Sequence, residues 1–148
     1  MATKLKLTEM PLRRVVDLQV RAKAYQILGQ PELALRDFRH AVRLMPNDPS
    51  AQNVIAWFLA TCLDERFRNG AEAVSAAKKA CELSHWKRSD CIDTLAATYA
   101  EAGDFDQAAK YERRSLNDPS SKTRKEREER VALFEQRKPF REDLAGYP

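Results

Sequence analysis

Apolar side chains recur along this chain at three- and four-residue spacing, in stretches of roughly a dozen residues divided by short polar breaks. Over 31–45 they are Leu33, Ala34, Leu35, Phe38, Ala41, Val42, Leu44 and Met45. Over 70–83 they are Ala73, Val74, Ala77, Ala80, Cys81 and Leu83, and over 104–116 they are Phe105, Ala108, Ala109, Tyr111 and Leu116. That period marks one buried stripe on an α-helix. No sustained two-residue alternation competes with it, so strands are not expected. The breaks carry helix-ending and helix-starting residues. Gly29-Gln30-Pro31 puts proline in a first helical turn, and Asp48-Pro49 adds an N-cap to the same device. Asn69 and Glu72 have capping-box spacing. Gly103-Asp104 and Asn117-Asp118-Pro119 end one helix and open another, and 84–89 is a polar break. The pattern predicts seven helices, near 11–28, 31–45, 49–63, 70–84, 89–102, 104–117 and 120–137. Their short connections predict antiparallel neighbours.

The breaks also expose a repeat. Tyr25 and Tyr99 each lie four residues before a turn glycine, Gly29 or Gly103, and Ala34 and Ala108 lie five after. Phe38, Ala41 and Pro46 continue the first copy; Leu95, Ala96 and Phe105 belong to the second. A middle unit between them has Ile55-Ala56 or Leu59-Ala60 in its first helix and Ala73, Ala77 and Ala80 in its second. It lacks the turn glycine and carries extra residues at 63–69, which are expected to form a surface loop. The pattern Leu-Ala/Gly-x2-Tyr, then Ala-x3-Phe-x2-Ala, then Pro resembles the tetratricopeptide repeat, a helix–turn–helix unit of about 34 residues. Leu18 and Ile92 stand where that pattern has a large aromatic residue, and Glu112 stands where it has Phe.

The resemblance implies an all-α, right-handed superhelix of about three units, an α-solenoid, at 11–48, 49–88 and 89–120. A polar capping helix is expected at 121–137, after an N-terminal segment 1–10 and before an irregular tail 138–148. Each unit leaves an apolar face that only a neighbour can cover, and Phe38 and Tyr99 are expected in that core.

Composition narrows the chemistry. The chain has 148 residues, 43% hydrophobic and 32% charged, enough for one globular domain. Its net charge of +4 comes from the first fifty residues, with 9 basic and 5 acidic side chains; the rest is balanced. That density is too thin for a phosphate-tracking groove, so no nucleic acid is expected. The alternating charges of 122–130 are read as a solvated helix face. No apolar run approaches the ~20 residues of a membrane span, and no leader is visible, so a cytoplasmic protein away from membranes is expected. Three cysteines without a paired motif fit a reducing compartment.

Enzymatic chemistry has little to stand on. His40 and His85 fall on different helices, and there is no phosphate loop, nucleophile elbow or HExxH. Cys81, His85 and Cys91 lack the paired spacing of a zinc site, and Cys81 reads as core, so neither metal nor cofactor is expected.

What remains is binding. The resemblance implies a concave groove lined by the first helix of each unit, taking an extended peptide or helix of a partner protein. Carried onto this chain, it is built by Val16, Gln19, Lys23 and Gln26, by Trp57 and Thr61, and by Asp90, Asp93, Ala97 and Glu101. The Lys/Asn/Arg clamp of repeats that hold chaperone-tail carboxylates is missing: its places fall on Gln19, Lys23, Val54 or Phe58, Asp90 and Thr94. Asp90 and Asp93 have no cation at helical neighbour spacing and are expected unpaired, awaiting a basic segment of the partner. The expected function is thus a non-enzymatic interaction scaffold, monomeric or weakly dimeric. The alternative is an element that self-assembles through the ends of the array or through its tail.

Overall fold

The computed structural model describes residues 10–119 and 122–144. Segment 1–10 (apart from its last residue), residues 120–121 and the last four tail residues lie outside them. The described residues form seven α-helices and no strand: α1 (Met10–Ile27), α2 (Pro31–Leu44), α3 (Pro49–Thr61), α4 (Gly70–Leu83), α5 (Ser89–Glu101), α6 (Phe105–Ser115) and α7 (Arg124–Glu135). The fold is all-α, as the periodicity predicts. Helices pair in order, α1 with α2, α3 with α4, α5 with α6, and each pair packs on the next. α3 lies against both α1 and α5, so the odd helices form one layer of an α-solenoid-like array, and α7 closes it on α6.

Local chemistry sets the boundaries. Asp48 caps α3 by accepting from the amides of Ser50 and Ala51, and Asp104 caps α6 by accepting from Gln107. Asn69 accepts from the Glu72 amide, but Glu72 does not complete a capping box; its carboxylate binds Arg39 of α2 and ties two units together. α1 and α5 end at glycines with φ of +71° and +88°, where Gln30 and Asp104 donate back to the carbonyls of Tyr25 and Tyr99. The same back-bonded turn ends α4 and α7, yet His85 (φ +53°) and Arg137 (φ +58°) stand there, residues that adopt this conformation at a cost.

Alanines line the contacts between helices. Ala22, Ala34, Ala41, Ala56, Ala77, Ala96 and Ala108 are fully buried, and the larger Phe38, Phe58, Leu59 and Leu95 fill the spaces between them. Phe38 meets Phe58 with ring centroids 5.5 Å apart. Tyr99 is only half-buried: it stacks on Tyr111 at 5.6 Å, and Tyr111 on Trp86 at 6.1 Å, beside the apolar cluster of Cys81, Cys91 and Leu95.

One expectation holds and another is corrected by packing. None of residues 63–69 is buried, so the insertion lies at the surface as expected, though it is not without tertiary contacts. It contains a 3-10 turn, Glu65–Phe67, with Phe67 against the first core cluster, and Arg68 donates to the carbonyls of Cys62 and Leu63 and pairs with Glu101. The charged stretch 122–130, by contrast, is not a wholly solvated face. Arg127 and Arg130 are buried, and further along α7 the fully buried Phe134 sits on the small floor of Ala96, Ala97, Ala100, Ala108 and Ala109. No helix among the described residues is long and apolar enough to cross a membrane.

Candidate functional site

The inner faces of α1, α3 and α5 enclose a cleft of about 360 Å³. Six of the expected groove residues line it together: Gln19, Lys23, Gln26, Trp57, Asp90 and Asp93. Phe38, Asn53, Val54 and Thr94 complete the wall. Two polar atoms in this wall are buried without any hydrogen-bond partner, the Gln19 amide nitrogen and the Asn53 amide oxygen. One is a donor and one an acceptor. Asn53 carries the signal that sequence reasoning missed: it lies four residues before Trp57, one turn along the same face.

The other expected groove residues do not open onto this cleft. Val16 is exposed outside it. Thr61 is fully buried, its hydroxyl donating to the Trp57 carbonyl at 2.7 Å, and Ala97 is buried under Phe134. Glu101 is engaged by Arg68 at 3.2 Å and by Arg141 at 2.7 Å.

The expectation of two unpaired acids is overturned. Asp90 pairs at 2.6 Å with Arg88, one residue before the helix. Burial opposes ionisation of Asp90, but the hydrogen bond and charge of Arg88 outweigh it and hold the carboxyl below the usual carboxylate range. Asp93 is clasped by Arg130, whose Nη2 donates to both carboxylate oxygens at 2.8 and 2.9 Å, with Arg127 3.5 Å away. These cations come from α7, far outside the helical neighbour spacing used to judge them free. Glu112 lies behind this cluster, fully buried, with Arg130 Nε 3.6 Å from one oxygen and the Ser115 hydroxyl donating to the other at 3.0 Å. Burial, reinforced by the Asp93 charge and only partly offset by Arg130, pushes Glu112 up to about 9. It therefore holds its proton at neutral pH.

Trp57 faces the concave side but is not free. The tail after α7 folds back across it. Phe140 packs on the Trp57 ring at 5.6 Å, and the Arg130 guanidinium lies over both rings. The Glu142 carboxylate accepts from Trp57 Nε1 at 2.9 Å and from Lys23 Nζ at 2.8 Å, while its backbone amide donates to the Thr61 carbonyl. Every charge expected to polarise the groove, Lys23, Asp90, Asp93 and Glu101, is thus matched from within the chain.

The Cys81 and Cys91 thiols are buried beside Ile92 and Leu95, and burial pushes them up to about 12 and about 11, far from a reactive thiolate. No group of three or more metal-ligating side chains converges among the described residues. The fold is a helical array in which the odd-numbered helices share one cleft, walled by the apolar Phe38, Val54 and Trp57 together with polar side chains. No protein-family model matches the chain, and no curated protein matches it.

Proposed function

We propose that this protein is a tetratricopeptide-type interaction module that binds an extended segment of a partner protein in its concave cleft and catalyses no reaction. The observation that carries this reading is the cleft between three helices, whose wall includes Gln19 and Asn53, each with one buried amide atom, Gln19 Nε2 and Asn53 Oδ1, left without a partner. Buried polar groups without partners cost stability, so folding alone gives no reason to keep them. A peptide group supplies what both lack, a carbonyl for Gln19 and an N–H for Asn53.

A peptide library displayed on phage tests this. The wild type enriches extended sequences, and Asn53→Leu abolishes the enrichment while its stability stays equal or rises, because an apolar side chain replaces an unsatisfied one. Equal enrichment by the folded variant, or none by the wild type, overturns the reading.

A second reading, self-assembly through the open end of the array, is favoured by α1. Val20 on α1 and Leu28 just after it are 66% and 69% exposed, and among the described residues α1 has a neighbouring pair on one side only. Light scattering at micromolar concentration distinguishes it: a mass above one chain that Val20→Lys abolishes supports assembly, and a single-chain mass excludes it.

A further inference from the structure

We infer that the tail segment Phe140-Arg141-Glu142 is a built-in competitor for the concave face, and that the partner it yields to presents the same order of groups: aromatic ring, cation, carboxylate. This rests on the interaction-module reading and adds to it the chemistry of the ligand and the control of access.

The tail is held as a ligand is held. Its three consecutive side chains each meet the array, Phe140 and Glu142 sharing Trp57. Phe140 lies on Trp57, Arg141 reaches Glu101 and the Ala60 carbonyl, and Glu142 is held jointly by Lys23 and the Trp57 indole N–H. One backbone hydrogen bond, from the Glu142 amide to the Thr61 carbonyl at 2.9 Å, fixes the register. These fixtures come from α1, α3 and α5 and converge only because the three helices lie side by side.

The attachment is also light. Residues 138–144 form no helix or strand, and all three contacting residues remain partly exposed. Glu142 is not in the wall of the 360 Å³ cleft, but it binds Lys23 and Trp57, two residues that are. A segment running along the cleft past Gln19 and Asn53 therefore meets Glu142 at Lys23. It gains the full face only by replacing the tail, and charge complementarity sets what can replace it: a carboxylate at Lys23 and Trp57, a cation at Glu101, a ring on Trp57.

The test uses the full chain and a labelled peptide with the sequence of residues 137–144. The double variant Phe140→Ala/Glu142→Ala vacates the face while leaving Lys23, Trp57 and Glu101 in place. It should bind the peptide at least ten times more tightly than the wild type does, and a scrambled peptide should not bind. Adding Lys23→Ala to the variant should weaken the peptide at least tenfold. If circular dichroism shows that the double variant has lost helix, Glu142→Ala alone replaces it. Equal affinity of wild type and variant, equal binding of the scrambled peptide, or no binding to either chain overturns the inference. So does a wild-type mass of two chains that falls to one in the variant, since the tail then occupies a second copy. The library selection reads the Gln19–Asn53 end, so it can succeed where this peptide fails, and the two failures are told apart.

Discussion

Arg130 reaches from the last helix to Asp93 on the inner layer, with three donor–acceptor distances between 2.8 and 3.1 Å, and both side chains are largely withdrawn from water. The same guanidinium covers Trp57 and Phe140 and lies 3.6 Å from Glu112. One residue thus joins the cap, the cleft and the tail, and substitutions around it should separate structural from exposed charges.

Asp93→Asn should destabilise the fold by about 3 kcal/mol or more, because it leaves two buried guanidiniums without a counter-charge. Asp90→Asn, three residues earlier on a solvent-exposed pair with Arg88, should change stability by less than about 1 kcal/mol. Urea unfolding of the two single variants checks this. Equal losses would show that the burial of the Arg130 pair has no energetic consequence.

Stability should fall as pH rises from about 4.5 to about 9. In that window the folded protein keeps the Glu112 proton and the unfolded chain has released it, so raising pH favours unfolding. The groups facing Glu112 are Asp93, Arg130 and Ser115. Glu112→Gln should remove this slope, with a gain over wild type that grows by up to about 1.4 kcal/mol per pH unit. Melting curves at pH 5, 7 and 8.5 measure it, and parallel curves for the two proteins would contradict the assignment.

Gly70→Ala should be destabilising by about 1–3 kcal/mol, although alanine is ordinarily the better helix former. A Cβ at Gly70 would stand 3.0 Å from both the Cα and the amide nitrogen of Ala102, backbone atoms at the end of α5. A higher denaturation midpoint in the variant would show that the two helices separate at no cost.

His85→Gly should stabilise by about 0.5–1 kcal/mol. His85 holds φ +53° at the turn between α4 and α5, where glycine adopts the same backbone without Cβ strain. Gly29 and Gly103 already occupy the matching turns after α1 and α5. Thermal unfolding decides the sign.

Phe38→Ala should cost about 3–5 kcal/mol, since Phe38 is buried between the first two units against Phe58. Tyr99→Phe should cost less than Phe38→Ala, because the Tyr99 ring is partly exposed and its stack on Tyr111 survives. Guanidinium midpoints of both variants test the difference.

The helices and their order were legible in the sequence because helix formation is read locally. Apolar side chains at three and four residues stack on one face, and Asp48, Asn69, Asp104 and the two turn glycines act on amides within a few residues of themselves. The six residues that share the cleft were placed by the resemblance to the repeat family, and helical spacing agrees with it: Gln19, Lys23 and Gln26 share one face of α1, as Asp90 and Asp93 share one face of α5. The state of those residues was not legible. Asp93 meets Arg130 across 37 positions of sequence, Trp57 meets Glu142 across 85, and Lys23 meets the same carboxylate across 119. Such partners are chosen by how the three inner helices lie side by side and by where α7 leaves the tail. No local period encodes that, which is why an acid that looked free along its own helix is buried in an ion pair, and why the tail, irregular in sequence, binds two residues of the cleft wall.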